Sequence, residues 1–265
     1  MQPVQRTTLR TLLEAKRISA GVWLNLGSPV SAEIASLAGY DWLLLDLEHG
    51  SGGFSELPQQ LWAAQAGSAA AVVRVPGLER APIKRALDLG ADGVMVPNVE
   101  TAAQAREAVE AVRLPPLGRR GVATSTRACR YGYGYEQYVA TANSDVLLIV
   151  QIESAIGVEN AADIAATAGV DVLFVGPLDL SLNLGVSDPM HSEAFQAALK
   201  RVCGAASVAG KRAGILARDE AQARTYVGLG FRLIAMGSDR GMLAAAMRRG
   251  IASLRNLEPP DGACR

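Results

Sequence analysis

Asp46, Glu48 and His49 follow directly on the apolar run Trp42, Leu43, Leu44, Leu45, so that three ionisable groups crowd the end of a segment built for burial. Such a cluster could transfer a proton or hold a cation. The chain has only two histidines, His49 and His191, which makes His49 the leading candidate for proton transfer near neutral pH. Four further apolar runs end in the same way: AAVVRVP carries Arg74, VLLIVQIE ends in Gln151 and Glu153, DVLFVGP is followed by Asp179, and FRLIAMGSD closes on Ser238 and Asp239. Two carboxylates from neighbouring strands, Glu153 and Asp179, can bind a hard divalent cation and leave coordination positions open for water or substrate. Arg74 is a fixed positive charge suited to a carboxylate or to a developing enolate oxygen.

Each of these residues also has an ordinary structural use. Asp179 or Asp239 could simply cap a helix. Arg74 could belong to a structural ion pair, and His49 could be a satisfied loop histidine. Glu153 resists such a reading, since it ends a strongly apolar strand where an unpaired carboxylate is costly to bury. What favours chemistry is the repetition, provided that the ends of these segments meet on one rim.

The pattern of elements predicts that they do. Strands are expected at 21–27, 42–50, 70–76, 93–98, 146–153, 171–181 with its loop, 212–217 and 231–239. Helices are expected at 8–18, 31–38, 55–66, 83–89, 101–113, 158–168, 193–209, 220–229 and 242–254. The rhythm breaks over 114–145, which contains PPLGRRG and RYGYGY and reads as a long loop with a short helix at 136–142. Continuous rather than alternating hydrophobicity suits parallel strands covered on both faces. Eight strands, each followed by a helix, imply an α/β fold of the (β/α)8 TIM barrel type, one domain over residues 1–265, with functional groups on the loops at the carboxyl ends of the strands. A doubly wound open sheet is the alternative, but its GxGxxG fingerprint is absent. The last helix has a broad apolar face and should pack on another subunit; the tail 257–265 reads as disordered.

Bulk properties narrow the partners. Twenty-six basic and 26 acidic residues leave no net charge to attract nucleic acid or a membrane surface, so a small-molecule partner is expected. No apolar run is long enough to span a bilayer and the first residues lack an apolar signal core, which points to a cytoplasmic protein. Cys129, Cys203 and Cys264 are scattered and suggest neither a disulfide framework nor a zinc site.

The segments GVWLNLGSP, WLLLDLEHG, VVRVPG, PPLGRRGV, VQIESAIGVEN and VGPLDLSLNLG, in this order from about Gly21 to Gly241, resemble the HpcH/HpaI family of metal-dependent class II pyruvate aldolases. The resemblance implies a barrel of the phosphoenolpyruvate/pyruvate-binding type, a homo-hexamer with exchanged last helices, and reversible cleavage of 2-keto-4-hydroxy acids to pyruvate and an aldehyde through a metal-bound pyruvate enolate. It implies Glu153 and Asp179 as ligands of Mg2+, Mn2+ or Co2+, and Gln151 with the backbone NH groups of Leu178 and Asp179 as holders of pyruvate. Arg74 would stabilise the enolate, His49 would be the acid/base, Asp88 would raise the basicity of His49, and Asp46 and Glu48 would lie beside the waters of the metal. Two departures, Leu178 and Leu47 at positions where small residues are common, bear on the aldehyde pocket. The lysines Lys16, Lys84, Lys200 and Lys211 fall away from the expected rim, against a Schiff-base mechanism. Two other readings stay open: a citrate lyase β-like enzyme taking a larger or CoA-linked acid, for which Arg119, Arg120, Arg127 and Arg130 could form a basic surface, and a non-catalytic barrel.

Overall fold

A computed structural model describes residues 9–14 and 17–257. Eight parallel strands close into a barrel in the order β1 to β8: Ser19–Leu24, Trp42–Asp46, Ala70–Arg74, Gly93–Val96, Leu147–Ile152, Val172–Val175, Arg212–Ala217 and Leu233–Ser238. The helices are α1 Leu9–Glu14, α2 Pro29–Leu37, α3 Leu57–Ala63, α4 Arg80–Asp88, α5 Ala102–Val112, α6 Tyr135–Asp145, α7 Ala155–Glu159, α8 Ala161–Ala166, α9 Pro177–Asn183, α10 Glu193–Val208, α11 Glu220–Leu229 and α12 Asp239–Arg255. The expected (β/α)8 barrel is therefore the fold.

Alternation along each strand separates two cores. Leu43, Leu45, Val73, Val150 and Val175 point outward into the layer that the helices cover. Trp42, Leu44, Val72, Ile149 and Phe174 point inward and fill the barrel, with Leu9 and Leu13 of α1 joining this inner cluster. The same alternation continues upward. Asp46 stands two residues beyond Leu44, Arg74 beyond Val72 and Gln151 beyond Ile149, so the last inward layer at the carboxyl end is polar. Register fixes the neighbours within that layer: Asp46 pairs with Arg74 across β2 and β3.

Some elements differ from the sequence pattern. Residues expected to form the loop after β6 are a helix, α9, started by Pro177, whose fixed φ suits a first helical turn. The helix expected at 158–168 is two short ones, because Ser154 caps an earlier start and the chain turns at Asn160. Of the helix expected at 8–18, only Leu9–Glu14 is helical among the described residues. The disorder expected of the tail falls, after Leu257, on residues outside those described.

Helix α12 buries none of its residues, and Met242, Leu243, Met247, Ile251 and Leu254 are all exposed on it. An apolar stripe of that length costs free energy in water unless it is covered. A chain ended after Asp239 is expected to keep its barrel and to sediment as a smaller species than the full chain; an unaltered sedimentation profile would show that α12 plays no part in assembly.

Candidate active site

The centre of the polar layer is Asp46, which is buried and accepts from three segments at once. Arg74 donates to it through Nε at 2.9 Å and Nη2 at 2.7 Å. Asn25 Nδ2 and the Trp23 indole NH, both following β1 inward, donate at 2.6 and 3.2 Å. The backbone NH groups of Glu48 and His49 donate to Oδ1 at 3.1 and 3.2 Å, which folds the DLEHG segment over the strand end. Gly50 completes the fold, since a Cβ there would collide with the Asp46 carbonyl. Burial raises the pKa of Asp46, but the hydrogen bonds and charge of Arg74, helped by the two amides, outweigh it and hold the carboxyl below its ordinary range.

Arg74 is thus fixed on three sides. The ring centre of Trp23 lies 5.0 Å from its guanidinium carbon, and its Nη1 lies 2.9 Å from Glu48 Oε2. That last contact is electrostatic rather than a hydrogen bond, for the NH does not point at the oxygen, and Glu48 Oε2 is left as a buried acceptor without a donor. Burial, together with the charges of Asp46 and Asp179, raises the pKa of Glu48 despite Arg74 and His49. His49 Nε2 is 4.0 Å from the same oxygen, and its side chain is 65% exposed toward the cavity.

A second set of groups comes from β5 and β6. Glu153 is buried, with Oε1 accepting from the Asn98 amide and Oε2 from Gln151 Nε2, each at 2.9 Å. Gly176 packs so closely that a Cβ would strike the Glu153 carboxylate. Burial is the main cause that pushes Glu153 up to about 7, and the charges of Asp179 and Glu48 add to it against the Asn98 amide. Gln151 Oε1 is another buried acceptor with no donor. Asp179 sits in the first turn of α9, and its carboxylate makes no hydrogen bond or ion pair among the described residues. Around these groups opens a cavity of about 740 Å3 lined by His49, Arg74, Gln151, Leu178 and Asp179, with Glu153 directly behind Gln151.

This donor set suits a hard cation. No group of three or more His, Cys, Asp or Glu side chains is placed to hold a metal ion among the described residues, so any ion here would have at most two such ligands. Two carboxylates with their charges uncompensated, beside acceptors that lack donors, can hold a divalent ion whose other positions belong to water and substrate oxygens.

A family model described as HpcH/HpaI aldolase/citrate lyase matches residues 19–246. The chain belongs to that family. It is 42% identical over 248 residues to the 5-keto-4-deoxy-D-glucarate aldolase of Shigella boydii, covering 93% of this chain and 96% of the relative. To the enzyme of the same name from Klebsiella pneumoniae it is 44% identical over 241 residues, covering 91% and 93%. The solved structure of a HpcH/HpaI aldolase/citrate lyase family protein from Burkholderia cenocepacia superposes with a TM-score of 0.88 at 42% identity, over 93% of this chain and 98% of that one. The chain is accordingly a carbon–carbon lyase of the HpcH/HpaI type.

Most of the residues singled out in this HpcH/HpaI sequence meet at the carboxyl rim; Asp88 does not. It ends α4, the helix that runs back from β3 to the start of β4, and its carboxylate pairs with Lys84 at 3.3 Å. Within one chain it stands at the opposite end of the barrel from His49, so a dyad between them could form only with a second copy. Asp46, expected beside the metal's waters, is instead consumed by Arg74 and the β1 donors. Leu47 packs on the outer core rather than in the cavity, as its place one step from inward Asp46 requires, whereas Leu178 does line the cavity. The arginines considered for a nucleotide surface lie at the amino end: Arg120 is buried against Tyr138, Arg127 donates to the Leu89 carbonyl and Arg119 pairs with Glu110. Trp23 and Asn25 escaped the sequence reading, although both fall on the inward parity of β1.

Replacing Asp46 by Ala leaves a buried guanidinium with one off-line partner, and should destabilise the fold by about 3 kcal/mol or more in denaturant titrations. Glu153 gives a pH signature. Its folded-state pKa is raised from 4.5 to about 7, so folding takes up a proton within that window and the metal-free protein loses this group's stabilisation as pH rises through it. The gain in thermal midpoint on adding Mg2+ should consequently be larger above about pH 7 than below it, and absent in Glu153→Gln.

Proposed function

We propose that this lyase is a divalent-metal-dependent aldolase that cleaves and forms 2-keto-4-hydroxy acids by way of the enolate of pyruvate. The observation that carries the reading is that one polar layer at the barrel mouth brings buried Arg74 and Gln151 against the carboxylates of Glu153 and Asp179, with His49 over the same cavity. Glu153 and Asp179 would hold Mg2+, Mn2+ or Co2+, which when bound supplies Lewis acidity to a keto oxygen. Gln151 and the free amides of Leu178 and Asp179 in the first turn of α9 would orient the pyruvate carboxylate. Arg74, rigid before substrate arrives, would place positive charge where the enolate oxygen develops, stabilising charge that exists only during reaction. His49, exposed at the mouth, would take the proton from the methyl carbon or return it, with Glu48 Oε2 4.0 Å from its Nε2. Asp46 supports this by keeping Arg74 in place.

A Schiff base finds no support: Lys84 pairs with Asp88 and Lys211 donates to the Val170 carbonyl, both away from the cavity, while Lys16 lies outside the described residues. The relatives' substrate, 5-keto-4-deoxy-D-glucarate, is a diacid. Carried over to this chain, its cleavage would yield pyruvate and tartronate semialdehyde, an aldehyde with a carboxylate of its own. The chain would act as one barrel domain within a homo-hexamer built through α12, and in the cytoplasm; no helix among the described residues is long and apolar enough to cross a membrane.

Loss of the pyruvate methyl proton signal in D2O tests enolisation without any aldehyde. Exchange is expected with protein and Mg2+, Mn2+ or Co2+, to stop with EDTA, and to slow by about a hundredfold or more in His49→Ala. A persistent methyl signal with all three metals would overturn the reading, and wild-type exchange in His49→Ala would remove the histidine from it.

A further inference from the structure

The wall of the cavity that faces Arg74 and Gln151 is made by the ends of β7 and β8. These strands pair Leu216 with Ala235 and Ala217 with Met236, so Arg218 and Arg240 leave the barrel from adjacent strands, and both line the cavity. The acidic residues beside them on these two segments are engaged elsewhere. Asp219 accepts from the Gln222 amide at 2.9 Å, Glu220 is ion-paired with Arg224, and Asp239 accepts from the amides of Asn25 and Leu26 at 2.8 and 3.3 Å. Ser238 spends its hydroxyl as the cap of α12, accepting from Gly241 at 3.1 Å. The guanidinium groups of Arg218 and Arg240 themselves make no hydrogen bond or ion pair among the described residues; only their backbone amides are bonded. Between them the wall is apolar, formed by Leu216, Met236 and Met242.

We infer that Arg218 and Arg240 determine specificity by binding the carboxylate on the aldehyde half of the substrate. This rests on the function proposed above: with pyruvate held against Arg74 and Gln151, the fragment beyond the new carbon–carbon bond extends toward β7 and β8. An anionic end meets two unpaired guanidinium groups there, whereas a neutral end of equal length meets an apolar wall and gains little. Selection among aldehydes then resides at the end of β7 and in the first turn of α12, on side chains outside the metal-binding carboxylates and the pair Asp46–Arg74.

Two aldols of pyruvate isolate the effect, one made from tartronate semialdehyde and one from glyceraldehyde, which differ only in a terminal carboxylate against a terminal hydroxymethyl group. The wild type should cleave the first with the higher kcat/KM. Arg218→Met, Arg240→Met and the double variant should lower that preference by about tenfold or more, through KM rather than kcat, and Lys at either position should restore part of it. If pyruvate exchanges in the wild type but it shows no preference, or the double variant keeps the wild-type ratio, the inference is overturned and the proposed function stands. If the wild type neither exchanges pyruvate nor cleaves either aldol, both are overturned.

Discussion

The site depends on one buried ion pair. Asp46 and Arg74 sit opposite one another on adjacent parallel strands, are joined by two hydrogen bonds at 2.9 and 2.7 Å, and are both buried. Burying either alone would be prohibitive, and the desolvation of the two together is offset only because all acceptor positions of Asp46 are occupied. The donors come from β1, from β3 and from the DLEHG turn, so satisfying one carboxylate also fixes Trp23, Asn25, Glu48 and the backbone of His49. An arginine held in this manner does not need to reorganise when charge develops before it.

Glu153 is the counterpart, a buried carboxylate that the protein leaves only half satisfied. Two donors, the Asn98 amide and Gln151, do not compensate its burial beside Asp179 and Glu48. One half of the rim holds a fixed guanidinium in a fully bonded pair, and the other carries excess negative charge. That asymmetry, more than the identity of any residue, divides the cavity into a side that can present fixed positive charge and a side that can accept a cation.

Much of this was legible in the chain because the strands of a closed parallel barrel are continuously apolar, and a charged residue at such a run's end has one place to be. Arg74, Gln151, Glu153 and Asp179 announced themselves in that way. Parity within a strand carried further information, placing Leu47 outward and Asp46 inward. Partners across strands were not legible, since Trp23 and Asn25 look like ordinary members of an apolar strand until register brings them to Asp46. Asp88 shows the limit of transferring a role by motif. A residue at the carboxyl end of the helix after β3 returns to the amino end of the barrel, and no local pattern states which subunit's histidine it could meet.

The aromatic layer beneath the polar one gives the barrel a wet end and a dry end. Trp23 and Phe174 meet at a tilt with 5.6 Å between ring centres, and Trp42 meets Phe174 edge-on at 6.1 Å, filling the lumen below Arg74 with aromatic side chains. The cavity above that layer is the doorway that His49, Arg74 and Gln151 face. In the reaction proposed above, a substrate filling that doorway would leave the lifted proton on the side chain that took it until a product leaves, which would couple the return of the proton to the departure of the aldehyde.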